Sequence, residues 1–351
     1  MNPLAGGAER GILEICSGLC RLGWDVQLIA GGYPGCVSEE RLNGMRIMRG
    51  SGPALIHIEL PALLKRCDPP DVVIEDLGHV VPFLGEKLTR APGVLFFRHL
   101  HRRTLAGQVP LPARIILEAI ERAYPALYRR WPLVAPSPGA FADLEALGFD
   151  GTRLHLIGYG VDLETFRPGG LTENPSLIYF AGLRKYKRPQ HVLYALKILI
   201  ERGVNSNLFI AGSGPELASL MKLSRDLGID SHVTFTGKLR DSELSPLVSR
   251  SWVHVQCSVA EGWGMTTDEA AASGVPTVAY RVPGLIDSVS PGISGTLVED
   301  GNIAALANAI AAVIDNRRDW TSRCRESVLG RSWETVARGW DTLLSRLSTR
   351  S

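Results

Sequence analysis

Residues 253–279 read VHVQCSVAEGWGMTTDEAAASGVPTVA. The opening Val253–Gln256 predicts a short buried strand. From Cys257 the run turns glycine-rich, with Gly262 and Gly264 separated only by Trp263, and predicts a loop. Thr267–Ala272 is built of small residues and good helix formers and predicts a helix, stopped by Gly274-Val275-Pro276. Pro276–Ala279 predicts the next strand. Strand, glycine loop, helix and strand in that order form a βαβ unit, which demands a parallel sheet. Ligands of such sheets sit at the carboxyl ends of strands. The chemistry is therefore expected in Ser258–Glu269.

The residue types in that loop suit a phosphorylated ligand. Gly262 and Gly264 let backbone amides approach closely. A helix opening near Thr266 directs its free N–H groups at the same spot, which favours an anion. Glu261 precedes the loop and Glu269 lies one turn into the helix. The chain bends between them, so both carboxylates can face one pocket.

The same alternation extends outward on both sides. Strands are predicted at Ser176–Ala181, Asn207–Ala211 and Val233–Thr236. Helices are predicted at Gln190–Arg202, Glu216–Leu227 and Ser242–Arg250. Ile157–Gly170 is rich in Gly and Pro and reads as a linker. Before it, Gly7–Leu22 and Arg114–Tyr128 read as helices. Trp24–Ala30, Asp71–Asp76, Val94–Arg98 and Leu133–Ala135 read as strands. The fold class is α/β: two doubly wound parallel sheets, with domains at 1–165 and 171–331. Residues 332–351 form a last helix, opened by Ser332 as its N-cap, that packs back on the first domain.

Composition narrows the class. The chain has 351 residues, 45% hydrophobic and 21% charged, with a net charge of +2. That fits a globular protein of two domains and argues against a polyelectrolyte or disordered chain. The apolar run Ala304–Ile314 is too short to span a bilayer. Six scattered cysteines without a CxxC pair imply a reducing, cytoplasmic setting.

An ordered set of motifs carries a resemblance. Glu261-x7-Glu269 with Gly274-Val275-Pro276, Gly6-Gly7-Ala8-Glu9, Ser137, Gly160-Val161-Asp162, Phe166-Arg167-Pro168, Tyr186-Lys187-Arg188-Pro189, Gly212-Ser213-Gly214-Pro215, Phe235-x-Gly237 and Ser332-Trp333-Glu334 resemble retaining glycosyltransferases of family 4. The resemblance covers nearly the whole chain. It implies the GT-B architecture, in which two Rossmann-like domains face a cleft. It also implies transfer of a hexose-type sugar from a nucleotide-diphosphate sugar to a glycan, lipid-linked or small-molecule acceptor. In this resemblance Glu269 holds the ribose and Glu261 accepts from donor-sugar hydroxyls. The amides of Gly262, Trp263, Gly264, Met265, Thr266 and Thr267 line the sugar and diphosphate. Lys187 neutralises the leaving diphosphate, and the backbone near Lys238 and Leu239 contacts the base. Gly6, Gly7, Gly212 and Gly214 complete the donor set. A phosphorylase, an epimerase of the same fold and a non-catalytic nucleotide-sugar-binding homologue are the competing readings. Because no Asp-x-Asp pair precedes the lysine, no obligatory metal and no cofactor beyond the donor are expected.

Three departures from the family pattern sharpen these expectations. Gly182 stands where a phosphate-binding arginine is expected, leaving Arg184 or Arg188 to replace it. The segment Phe97-Arg98-His99-Leu100-His101 offers two candidates for the histidine near the reacting sugar: strand-end position favours His99, and spacing leaves Arg98 or His101 open. The glycine loop Gly6-Gly7 comes so early that residues 1–5 are too few for the central first strand, so this strand is expected to be missing and the natural chain to begin upstream. Finally, residues 98–131 hold seven arginines and two acidic residues, interleaved with Tyr124, Tyr128 and Trp131. This stretch is expected to meet an anionic membrane peripherally. Nucleic acid is not an expected partner.

Overall fold

The computed structural model describes residues 6–52, 55–105 and 109–348. The chain forms two compact units. The first comprises Met1–Arg102, Val109–Gly160 and Trp333–Ser351, the second Arg103–Gln108 and Val161–Ser332.

The first unit contains β1 (Gln27–Ala30), β2 (Glu39–Leu42), β3 (Met45–Arg49), β4 (Val73–Leu77), β5 (Gly93–Phe97), β6 (Leu133–Ala135) and β7 (Leu154–Leu156). Its strands form two sheets. One runs β1-β3-β2, and the other is a parallel sheet in the order β4-β5-β6-β7. Among the described residues β1 pairs only with β3, and β4 only with β5. All four residues of β1 are correspondingly half-buried, whereas every residue of β5 is buried. The expected missing first strand concerns residues 1–5, which lie outside the described residues. The hairpin β2–β3 is not predicted above. It turns at Asn43-Gly44, where φ is +50° and +89°, the left-handed geometry that a two-residue hairpin turn requires.

Two helices close this unit. Gly7–Arg21 buries Ile15, Cys16 and Leu19, and packs Gly18 against Ala337 of the final helix Trp333–Ser348. A Cβ on Gly18 would lie 2.5 Å from the Ala337 Cβ, so the two backbones approach closely only because residue 18 is glycine. Trp24 Nε1 donates to Asp341 at 2.8 Å, and the buried Trp340 stands edge-on to Phe96. The predicted helix Arg114–Tyr128 is in fact two, Leu111–Arg122 and Tyr124–Leu127. Pro125 accounts for the break, since it has no N–H to continue the ladder.

The second unit contains β8 (Ser176–Phe180), β9 (Asn207–Ala211), β10 (Val233–Gly237), β11 (Val253–Gln256), β12 (Thr277–Tyr280) and β13 (Gly295–Val298). All pair in parallel, in the order β10-β9-β8-β11-β12-β13. Numbered within the unit this is 3-2-1-4-5-6, and the strand order reverses between β8 and β11. Those two strands and β12 are buried along their whole length, as parallel strands covered on both faces should be. The apolar run near residue 304 is the helix Ile303–Asp315, which lays Leu306, Ile310 and Val313 onto this core. No helix among the described residues is long and apolar enough to cross a membrane.

Candidate functional site

The reversal between β8 and β11 brings two loops side by side. One follows β8 and carries the short helical turn Lys185–Lys187; the other follows β11 and carries Cys257–Gly264. The Val259 amide donates to the Tyr186 carbonyl at 2.9 Å and ties them together. As a result Lys187 and Glu261, 74 residues apart, form an ion pair between Nζ and Oε1.

Three donors converge on that single oxygen. Besides Lys187, Gln256 Nε2 reaches Oε1 at 2.9 Å and Ser258 Oγ at 2.6 Å. Oε2 accepts none of them. Burial pulls the Lys187 ammonium towards neutrality, but the Glu261 charge and hydrogen bond outweigh it and raise its pKa above the ordinary lysine value. Lys187 is therefore a fixed, half-buried cation.

The helix Met265–Ala272 starts beside this pair. Its N-cap is Gly264 at φ +101°, a left-handed conformation in which a Cβ would also come within 3.0 Å of Leu285 and Ser288. The first amides of the helix have no intrahelical acceptor. Thr267 bonds back to the Gly264 carbonyl through both its amide and its hydroxyl. The buried Thr266 hydroxyl has no protein partner. Glu269 is buried on the same helix.

Only the amide of Trp263 is assigned a role above; its side chain packs within the fold. The indole N–H donates to Asp268 Oδ2 at 2.6 Å, and Arg331 donates to Asp268 Oδ1 at 2.9 Å while lying over the Trp263 ring. The side chain thus braces the loop from beneath. Burial pushes the Asp268 carboxyl up to about 6, against the opposing pull of Arg331 and Trp263. Neither Asp268 nor Arg331 is singled out by the sequence pattern.

Gly212 and Gly214 serve close backbone approach. A Cβ on either would fall 2.0 Å from the Ala181 oxygen or 2.3 Å from the Leu183 oxygen. They let the loop after β9 run against residues 181–183, with the Leu183 amide bonded to Ser213 O at 2.9 Å. Lys238 and Leu239 follow β10 at the same edge, where Gly237 O accepts from the Gly212 amide. Of the two replacements for the arginine absent at Gly182, Arg188 is committed elsewhere. It holds the Cys257 and Ser258 carbonyls at 2.7 and 2.9 Å, and pairs with Asp300. Arg184 is exposed, and its Nε lies 4.0 Å from where a Cβ on Gly182 would start.

The remaining candidates belong to the first unit. Gly6 caps the helix Gly7–Arg21 and donates its amide to Glu9 at 2.9 Å. Arg98 is structural: it is buried, grips Asp76 through two 2.7 Å bonds and donates to the Tyr159 hydroxyl. His101 is buried, with Nε2 3.3 Å from the Leu77 carbonyl, and burial lowers its pKa. That acceptor fixes the proton on Nε2. His99 stays half-buried, with its ring centroid 4.7 Å from that of His101 and the two rings tilted at 53°. The aromatic residues expected at a membrane face inward instead: Tyr124, Tyr128 and Trp131 are all buried, with the Tyr124 hydroxyl on Val80 O and that of Tyr128 on Glu75.

Sequence reasoning missed Gln256, which buttresses Glu261, and Gly284. The Glu261 amide donates to Pro283 O at 3.0 Å, and a Cβ on Gly284 would lie 2.2 Å from the Glu261 oxygen. The Pro283-Gly284 pair after a strand was a readable turn signal.

Comparison with known proteins matches both halves of the chain. Residues 161–327 fit the family model described as Glycosyl transferases group 1, and residues 5–165 that of Glycosyltransferase Family 4. D-inositol 3-phosphate glycosyltransferase 1 of Catenulispora acidiphila is 31% identical over 289 residues, covering 75% of this chain and 68% of that protein. A GDP-mannose-dependent alpha-(1-6)-phosphatidylinositol monomannoside mannosyltransferase of Mycobacterium tuberculosis is 30% identical over 213 residues, covering 56% of this chain and 54% of that one. The chain thus spans about half the length of several curated relatives it matches. Among solved structures, a sucrose-phosphate synthase from Thermosynechococcus elongatus superposes with a TM-score of 0.83 over 99% of this chain and 95% of that one, at 21% identity, a likeness of fold.

Proposed function

The chain belongs to glycosyltransferase family 4, and from that premise we propose that it is a retaining hexosyltransferase using a nucleotide-diphosphate sugar. The observation that carries this reading is the Lys187–Glu261 pair at the β8/β11 switch point, next to an open helix start. Cleaving the glycosyl–phosphate bond sends its electron pair to the diphosphate, so negative charge grows there. Lys187, the amides of Gly262 to Thr267 and the Thr266 hydroxyl meet that charge. Arg184 supplies the second cation in place of the side chain absent at Gly182. Glu261 receives a donor-sugar hydroxyl on Oε2, and Glu269 holds the ribose. The acceptor oxygen bonds to the anomeric carbon on the face the diphosphate leaves, and its proton passes to a diphosphate oxygen. His99 is the more accessible of the two candidate histidines, and the backbone at Lys238 and Leu239 meets the base.

The acceptor we favour is a polyol carried on or near lipid, with the protein peripheral on the cytoplasmic face of an anionic membrane. Two relatives, named for transfer to D-inositol 3-phosphate and to a phosphatidylinositol mannoside, support this class. Thermal unfolding with UDP, GDP, ADP and their hexoses identifies the donor, because a ligand of the folded state raises the midpoint. Slow release of nucleoside diphosphate from that donor, lost in Lys187→Met, is the expected result. If no nucleotide shifts the midpoint and none of the sugars is cleaved, the proposal fails.

A further inference from the structure

The helix Met265–Ala272, whose amino end faces the proposed donor, is anchored at its other end as well. That end first closes on backbone: the Gly274 amide donates to Ala271 O at 2.9 Å and the Val275 amide to Ala270 O at 2.8 Å. Gly274 sits at φ +72°, and glycine in that left-handed conformation ends many helices without further help. Here two guanidinium groups are added. Arg325 Nη1 donates to Ala272 O at 2.8 Å, and Arg317 Nη2 to Gly274 O at 2.9 Å.

Among the described residues neither arginine pairs with a carboxylate. Arg317 donates its other bond to Thr321 Oγ1 at 3.0 Å, and Arg325 reaches Phe166 O and Leu163 O at 2.6 and 2.9 Å. Arg317 is 3% exposed, and burial, the largest effect on it, lowers its pKa. A guanidinium keeps its proton even so. A positive charge buried without a carboxylate is costly, and an apolar side chain would fill the space at less cost. What both cations meet instead is the negative end of the helix dipole.

The shortness of the helix connects its two ends. Eight residues make a rod of about 12 Å, at about 1.5 Å per residue. Cations at the carboxyl end offset its negative charge and leave the positive field of the amino end to the diphosphate. Their bonds also fix the rod along its axis. Arg331, six residues after Arg325, holds Asp268 on the same helix at 2.9 Å. The stretch 317–331 thus grips the donor helix through three arginines. The helix Thr321–Val328 within it packs close: a Cβ on Gly274 would lie 2.7 Å from the Thr321 methyl. All these residues belong to the second unit.

We infer that Arg317 and Arg325 are positioning residues for the transfer reaction: by gripping the carboxyl end of Met265–Ala272 they set where its first amides and the Thr266 hydroxyl meet the donor diphosphate. The inference rests on the proposed donor site. The test compares, on the full chain, binding of UDP, GDP and ADP with binding of uridine, guanosine and adenosine by titration calorimetry. For the base that binds, the ratio of the two dissociation constants measures the share of affinity the diphosphate supplies. Arg325→Met and Arg317→Met should each shrink that ratio about 10- to 100-fold, as a small misplacement from a distant change can. Donor kcat/KM should fall in step while nucleoside affinity stays. Arg325→Lys, still able to donate to Ala272 O, should recover part of the loss. Arg323→Met is the control: Arg323 lies on the same helix but donates to Asp319 O and Gly292 O, neither on the donor helix, and its loss should leave the wild-type ratio. If the buried Arg317→Met fails to fold, the two Arg325 variants carry the test. A wild-type ratio in Arg325→Met overturns the inference. So does a loss that falls equally on the nucleoside, or that appears equally in Arg323→Met, since either marks general damage. A wild type that binds no nucleotide removes the donor site and the inference with it. A wild type that binds, with variants that keep its ratio, sinks the inference alone and leaves the transferase reading standing.

Discussion

Asp268 gives the most direct test of how the donor loop is held. Its carboxylate is buried between the Trp263 indole and the Arg331 guanidinium. Burial raises its pKa from 3.8 to about 6. At about 1.4 kcal/mol per pH unit, that rise is worth on the order of 3 kcal/mol. The sign follows from proton counts. Between pH 4 and 6 the folded chain holds a proton on Asp268 that the unfolded chain has lost. This contribution to stability is therefore complete below about pH 4 and disappears as pH rises through 6. Asp268→Asn keeps an acceptor for the indole N–H but cannot ionise. Arg331, partly exposed, turns to water. The stability of the variant minus that of wild type should then climb by on the order of 3 kcal/mol from pH 4 to 7. Urea unfolding of both proteins at constant ionic strength, followed by tryptophan fluorescence, measures that difference. Parallel pH profiles would refute the reasoning, because they would mean that the carboxylate ionises as it does in water and the brace is open.

Glu261→Gln removes the charge that holds Lys187 above its ordinary pKa, leaving burial, the largest effect, and Arg184 to lower it against the smaller upward pull of Tyr186; the alkaline limb of kcat/KM for donor cleavage should move to lower pH, and an unmoved limb would separate Lys187 from the rate. Gly214→Ala places a Cβ 2.3 Å from the Leu183 oxygen, so it should cost more than about 2 kcal/mol in urea unfolding and weaken donor binding, whereas the open Gly228 is a control position at which there is no such clash. Arg184→Met should lower donor kcat/KM by about 10- to 100-fold, as loss of a charged phosphate contact does, and Gly182→Arg in that background should recover part of it; failure of the rescue would mean that the two positions do not address the same phosphate.

What the sequence disclosed follows the physics of each half. In the second unit, β9 and β11 have the residues expected of them, and neighbouring elements differ by a residue or two. Strands buried on both faces and glycines forced by backbone contact leave a strong imprint. The first unit was harder to read. β2 is Glu-Glu-Arg-Leu on a half-exposed edge, a pattern without alternation of hydrophobicity, although Asn43-Gly44 is a hairpin signal by itself. The Arg114–Tyr128 segment was read with its aromatic residues outward. Periodicity shows that a face exists, but it cannot say which of two apolar faces the core takes. Here Tyr124 and Tyr128 go inward with hydroxyl partners, and Ile115 and Ile116 go outward. For Trp263 only the backbone amide has an assigned role in the sequence pattern; the brace formed by its side chain was not legible, because its partner Arg331 is 68 residues away and only the fold brings them together.

In the proposed donor site, the arrangement of donors on Glu261 lets a half-buried cation and a carboxylate share space with a diphosphate. Burial alone would pull the Lys187 ammonium towards neutrality, and the Glu261 charge and hydrogen bond outweigh it. An ammonium has three N–H donors, and one is engaged by Oε1, so two remain for phosphate oxygens. Lys187, Gln256 and Ser258 all converge on Oε1, which leaves Oε2 for a sugar hydroxyl. The ion pair therefore need not break when the donor arrives. Its desolvation cost is met during folding, by the closure of the β8 and β11 loops through Val259 and Tyr186. In the proposed reaction the transition state then meets a cation already fixed where charge grows, which is the condition under which electrostatic stabilisation is largest.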